Sequence, residues 1–221
     1  LYVFWQAKTM RLFMSKESTE ASYADRRRLA IEEAAYLVLA EKGYKGASML
    51  EIARRAGASN ETLYKWYGNK QGLFKSLVED NANRITSMID TVQSDAMHET
   101  GLDVLIPVGE RLLSVLTSER AIALNRAAAG DVHDTSTLGR ALSQNGRETV
   151  LPLITRLIEQ TAANGSLDPD NASDIAETWL SLLVGDLQVR IVTGQMQAPS
   201  ENDIRRRARK AVGQLTAMLS N

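Results

Sequence analysis

The chain has 221 residues, 44% hydrophobic and 24% charged, with no cysteine and only two histidines. It can bury a real core as one or two domains. It offers no disulfide, thiolate metal site or cysteine nucleophile, and little histidine for metal or triad chemistry. A net charge of −1 argues at first against a polyanion partner, but residues 1–75 hold 13 Lys and Arg against 8 Asp and Glu, while residues 76–221 hold 13 against 19. A basic head on an acidic body attracts a polyanion at one end only. Of the aromatic residues, only Trp179 lies beyond Phe74.

Residues 1–22 read as an N-terminal extension. Lys8 and Arg11 interrupt its apolar run and no small-residue cleavage pattern follows, so it is no secretory signal. Met10 or Met14 is a candidate natural start. The extension reads as a segment without a function of its own; docking on the body or a partner subunit, or an arm touching DNA, are the alternatives.

From Tyr23 the pattern is helical. Ala30, Ala34, Leu37 and Val38 predict an amphipathic helix over 24–42, stopped by Gly43. Ser48 caps a short second helix, with Glu51 completing a capping box and Met49, Ile52, Ala53 and Ala56 on one face. Gly57 breaks it. Ser59 caps a helix over 60–66 whose inward positions are Leu63, Trp66 and Tyr67. Gly68-Asn69 separates that helix from a fourth over 70–95, with Phe74, Leu77, Val78, Asn81, Ile85, Met88, Ile89 and Val92 on one side.

Further helices are expected over 102–117, 119–129, 135–164, 169–193 and 200–219, with breaks at Gly101, Gly130, Gly165-Ser166 and from Gly194 to Pro199. Pro152 either kinks or divides the longest. No period-2 strand pattern appears, so the fold class is all-α. No apolar run approaches the roughly 18 residues of a membrane span, which excludes a membrane partner and points to a cytoplasmic protein.

The segment EIARRAGASNETLYKW is two short helices around a Gly-containing turn, a helix-turn-helix. Its second helix is short enough to enter a major groove with its N-terminal residues facing base edges. With Leu63, Trp66 and Tyr67 turned inward, Asn60, Glu61 and Thr62 are left to contact bases, and Tyr64 and Lys65 to hold phosphates. Lys70, at the exposed N–H groups opening the fourth helix, makes a second phosphate anchor. The capping serines Ser48 and Ser59 complete the expected phosphate contacts. A helical hairpin with a solvated polar face is the competing reading.

Over residues 26–78 the chain closely resembles the DNA-binding domain of TetR-family transcriptional regulators. The shared features are an apolar first helix ending in Gly-Tyr, an IA..AG.S core, the following LY, and an aromatic-x-x-Lys-x-x-Leu junction. Trp66 and Tyr67 depart from the family's commoner His and Phe but keep an aromatic wedge. The resemblance implies phosphate contacts at Tyr64 and Lys70. It also implies a three-helix DNA-binding domain at 23–69, and a helical effector-binding and dimerisation domain at 70–221. The implied function is a repressor that binds a palindromic operator in double-stranded DNA as a homodimer. A small-molecule effector would release it by tilting the fourth helix.

Because the body has one aromatic residue, an aliphatic or acyl-bearing effector is expected, lined by Met88, Met97, Leu105, Leu124 and Trp179 with Arg126 or His133 as polar anchors. The body's apolar residues exceed one buried face at Ile154, Leu157, Ile158, Leu180, Leu183, Val184 and Leu187, which suggests a four-helix dimer interface. The run RRRARK at Arg205–Lys210 reads as a solvated or dimer-edge charge cluster. No catalytic, cofactor or metal motif is present, so an enzyme is the weakest alternative, behind a helical protein-interaction module.

Overall fold

With four prolines and no alternating pattern to direct strands, the chain folds as helices. A computed structural model describes the backbone of residues 2–95, 101–133, 135–162 and 171–220, and the side chains of 23–91, 101–133, 135–161 and 171–220. Among these residues the helices are α1 (Tyr2–Gly46), α2 (Met49–Arg55), α3 (Asn60–Tyr67), α4 (Lys70–Asp95), α5 (Leu105–Leu116), α6 (Glu119–Asp131), α7 (Thr137–Asn145), α8 (Arg147–Ala162), α9 (Ala172–Val184), α10 (Leu187–Val192) and α11 (Glu201–Leu219). A 3-10 turn at Gly101–Val104 precedes α5. None of these helices is long and apolar enough to cross a membrane. The chain divides into two units, Leu1–Leu73 and Phe74–Asn221.

In the first unit, α1 starts at Tyr2, well before the expected position 24. Residues 2–22 contain no Gly or Pro, so nothing in the backbone stops the helix from running through the expected extension. Gly43 breaks it at φ 66°, ψ 177°, as expected of a glycine stop. The buried stripe is Ile31, Ala34, Ala35, Val38 and Leu39, one face at i, i+3, i+4, i+7 and i+8. Ala30 and Leu37, expected inside, face solvent. The side chains of Met49, Ile52, Ala53 and Leu63 complete this core. Burying Leu63 fully is worth about 2 kcal/mol.

In the second unit, α5, α9 and α11 surround the fully buried Trp179, and α8 packs on α9 and on the 3-10 turn. Gly109 lets α5 approach closely: a Cβ there would stand 3.1 Å from the Trp179 ring and 3.3 Å from Ala208. Two expected long helices are divided. The 135–164 segment breaks at Gly146, whose backbone (φ −94°, ψ −100°) leaves the helix and where a Cβ would meet the Leu142 carbonyl oxygen at 2.4 Å. Pro152 instead lies inside α8. It faces solvent one turn after Glu148, so the carbonyl left without a donor belongs to the first turn of the helix. The 169–193 segment breaks at Gly185, whose φ of 49° and ψ of −131° suit only glycine. The expected break at Gly165-Ser166 lies outside the described residues.

The proposed dimer side chains need correction. Ile154, Leu157, Ile158, Leu180, Leu183 and Leu187 are buried in this unit's own core, and Val184 is half-buried. At the six buried positions the apolar surface that exceeded one face is covered within this unit, because α5 and α11 pack on α9 and the 3-10 turn packs on α8.

Two glycines test the backbone argument with opposite signs. Gly146→Ala overlaps a backbone oxygen and should lower the melting temperature, by roughly 1–3 kcal/mol of strain. Gly139→Ala, at an exposed α7 position with nothing nearby, should raise it slightly, by up to about 1 kcal/mol. Calorimetry of both variants distinguishes a required glycine from a merely permitted one.

Candidate nucleic-acid interface

The reader helix is held by the elements on either side of it. Arg55 of α2 donates to both oxygens of Glu41 on α1, at 2.7 and 2.6 Å, and to Glu51 Oε1 at 3.0 Å. Lys42 donates to Glu51 Oε2 at 2.6 Å. Two cations and two carboxylates thus fix α1 to α2. Ser48 caps α2 by accepting from Glu51 N–H at 3.3 Å. The expected return bond from Glu51 is replaced, because its carboxylate is taken by Lys42 and Arg55. Hydrogen bonding from Arg55 lowers the Glu41 pKa. Hydrogen bonds from Lys42 and then Arg55 lower that of Glu51. The same pairing, led by Glu41, raises that of Arg55.

Gly57 turns the chain at φ 60°, and its carbonyl accepts from Arg27 of α1 at 3.3 Å. Ser59 then caps α3, accepting from Thr62 N–H at 3.0 Å, with the two hydroxyls 2.8 Å apart. Leu63 anchors α3 in the core. Asn60, Glu61, Tyr64 and Lys65 face solvent, and Thr62 is half-buried against its cap. Trp66, expected inside, is 40% exposed and meets Tyr67 edge-on at 6.4 Å. It lies one position off the side on which Leu63 and the half-buried Tyr67 sit. The exposed face of α3 therefore carries an acid, a base, an amide, a phenol and an indole.

The junction to α4 is tightly made. Asn69 accepts from Gly72 N–H at 2.8 Å, capping α4. A Cβ at Gly72 would stand 2.0 Å from the Tyr67 carbonyl oxygen, so this position, which the sequence pattern did not single out, requires glycine. Lys70 Nζ donates to the Tyr44 carbonyl at 2.9 Å and sits 4.5 Å from the centre of the Tyr44 ring. It is a helix-end cap as well as a cation at the start of α4, and an ammonium has three protons to donate.

The second unit contains a cavity of about 540 Å³. Val78, Asn81, Ala82 and Ile85 of α4 form one wall. Leu112 and Leu116 of α5, Ala121, Leu124 and Asn125 of α6, residues around the α7–α8 break, and Leu180 to Gln188 form the rest.

Residues 31–77 match the family described as bacterial regulatory proteins, tetR family, and residues 103–218 match the AefR-like transcriptional repressor C-terminal domain. The chain belongs to the TetR family of transcriptional regulators. It is 32% identical to a TetR transcriptional regulator from Agrobacterium tumefaciens, covering 87% of this chain and 93% of that one, with a TM-score of 0.65. A protein described as a TetR-family transcriptional regulator from Mesorhizobium loti is 25% identical at a TM-score of 0.76, covering 88% and 96%. The uncharacterized HTH-type transcriptional regulator YvkB of Bacillus subtilis is 29% identical over 42% of this chain and 46% of its own length, so the chain spans under half of that relative.

As a TetR-family protein it carries a DNA-binding helix-turn-helix at α2–α3. The side chains expected to line an effector site are dispersed. Leu124 lines the cavity. Leu105 and Trp179 are fully buried in the core, and Met88 packs partly buried against it. Arg126 donates to the Val192 and Ile191 carbonyls at 2.9 and 3.0 Å, closing the end of α10. His133 is exposed, away from the cavity lining. Met97 lies outside the described residues. Asn125, Asn145, Arg147 and Gln188 are polar lining residues the sequence reading missed. Asparagine within a helix, where its propensity is poor, was the available signal at Asn125 and Asn145.

The α1–α2 ion cluster predicts a pH dependence. Both glutamate pKa values are depressed in the folded state, so the stabilisation is complete above the ordinary glutamate value near 4.3 and is lost as pH falls through the folded values. The protection factors of the α2 amides, taken against the slower intrinsic exchange at low pH, should fall on acidification from pH 5 to 3. In Arg55→Met that pH dependence should shrink.

Proposed function

We propose that this chain is a ligand-released repressor which binds a palindromic DNA operator as a homodimer. The observation that carries the reading is the solvent face of α3, where Asn60, Glu61, Tyr64 and Lys65 stand together on a helix anchored by Leu63. Asn60, Glu61 and Thr62 read base edges; Asn can bond adenine at two points and Glu accepts from the cytosine amine. Tyr64, Lys65 and Lys70, with the capping hydroxyls of Ser48 and Ser59, hold phosphates and set the register. A two-fold dimer places two readers about 34–36 Å apart, matching one turn of the duplex. The similarity to the AefR-like repressor C-terminal domain supports repression over activation.

The dimer cannot use the side chains consumed by the core. Val189, Met218 and Leu219, exposed on α10 and α11, are better candidates. Release follows from α4: the helix that begins at Lys70 also supplies Val78 to Ile85 to the cavity wall. An effector filling the cavity shifts α4 and so the readers, and by linkage DNA lowers effector affinity by the same factor.

Fluorescence anisotropy against the duplex upstream of the protein's own gene tests the roles. Asn60→Ala should relax sequence preference by about 1–3 kcal/mol at one base position. Tyr64→Ala and Lys65→Ala should weaken all duplexes alike, and Lys65→Ala should also reduce the salt slope by about one. Absence of specific binding by the wild-type chain to that duplex, or loss of specificity alone in the phosphate variants, would contradict the assignment.

A further inference from the structure

The cavity lining is chemically one-sided. Among its described residues there is no acid and no aromatic ring, and Arg147 is its one charged side chain. Arg147 is half-exposed and pairs with Glu177 at 3.4 Å. The walls are otherwise aliphatic, apart from a few small polar groups and amides.

Three of the four lining amides, those other than Asn81, have already spent a donor. Asn125 Nδ2 donates to the Ala121 carbonyl at 2.9 Å, Asn145 Nδ2 to the Ala141 carbonyl at 3.0 Å, and Gln188 Nε2 more weakly to the Leu116 carbonyl at 3.4 Å. The orientation of each amide is set by these contacts, since an amide oxygen turned toward a carbonyl oxygen would repel it. Each side chain keeps its oxygen and a second N–H, and none of these three oxygens accepts a bond among the described residues. The amides therefore offer unused acceptors, each beside one remaining N–H, on an apolar wall; a hydroxyl can donate to the first and accept from the second.

An acceptor needs a donor. A ketone or ether could accept from the remaining N–H groups but would leave the amide oxygens unpaired, which is costly once water is excluded, and a carboxylate would do the same while competing with Glu177 for Arg147. An ammonium would find no carboxylate in the lining and would face Arg147. We propose that the effector is an uncharged, largely aliphatic compound carrying hydroxyl groups that donate to Asn125 Oδ1 and Asn145 Oδ1. This rests on the reading of the cavity as the effector site. It narrows the aliphatic expectation from sequence and removes the acyl anion from it. Sites that hydrogen-bond a ligand hydroxyl discriminate strongly against analogues lacking it.

The test uses matched probes on two skeletons: decane-1,10-diol with its dimethyl ether and decanedioate, and p-menthane-3,8-diol with its dimethyl ether. Binding is read by thermal shift and by displacement of the full chain from its promoter duplex. At least one diol should bind, with its ether weaker by roughly ten- to a hundred-fold. In Asn125→Leu/Asn145→Leu the diol and its ether should bind alike; the single variants serve if the double variant melts early. An ether or the dioate binding as well as the diol, a preference that survives in the leucine variants, or no binding by either diol overturns the proposal. Ser143→Trp, at an exposed position of the lining, separates the two levels. If an ether or the dioate binds and Ser143→Trp abolishes it, the cavity remains the effector site and the donor requirement falls. If a diol binds equally to Ser143→Trp, the cavity reading falls with it.

Discussion

One ammonium group closes the DNA-binding unit. Lys70 and Tyr44 are 26 residues apart, and the bond from Nζ to the Tyr44 carbonyl joins the end of α1 to the start of α4. Everything between them, the two helices of the helix-turn-helix included, lies in the loop this contact closes. A hydrogen bond from a charged group contributes about 1.5–3 kcal/mol, and the Tyr44 ring under the ammonium adds to it. The same residue opens α4, whose later turns supply Val78, Asn81, Ala82 and Ile85 to the cavity lining. The residue that closes the reader and the residues that line the cavity thus lie on the same helix.

Cations close helix ends elsewhere as well. Arg126 donates to the last carbonyls of α10, and Arg207 to the Leu183 and Val184 carbonyls at the end of α9. Helix C-termini present unpaired carbonyls and partial negative charge, so a guanidinium reaching them from another helix fixes two elements at once. This explains why basic residues sit inside a body that is acidic overall. Arg207 holds the carbonyls just before Gly185, where the positive φ calls for glycine, and its Nη2 lies 2.9 Å from where a Cβ would stand. The Arg205–Lys210 run is therefore not uniform: Arg205 and Arg206 pair with Glu201 and Asp203 on their own helix, while Arg207 turns inward.

Local patterns were legible where local chemistry decides them. The caps at Ser48 and Ser59, the Gly43 stop, the span of α4 and the burial of Leu63 follow from residues within a few positions of one another. Tertiary choices were not. Leu37 and Trp66 are apolar yet exposed, because each lies just off the buried side of its helix. The breaks at Gly146 and Gly185 were hidden because helical apolar periodicity continues on both sides of each glycine. Ile154 and Leu183 looked like interface residues because periodicity counts apolar faces without knowing how many neighbours will cover them. The cavity lining comes from five or more helices, and its hydrogen-bond polarity depends on which carbonyl each amide meets, which sequence spacing does not encode.

The central claim is that α4 carries the state of the cavity to the reader. It is tested most directly by the affinity for the promoter duplex of variants whose cavity is filled by a side chain, Leu124→Trp and Ser143→Trp. The account predicts markedly weaker DNA binding for a filled cavity in a variant that still folds cooperatively. Wild-type DNA affinity in both filled variants would contradict it.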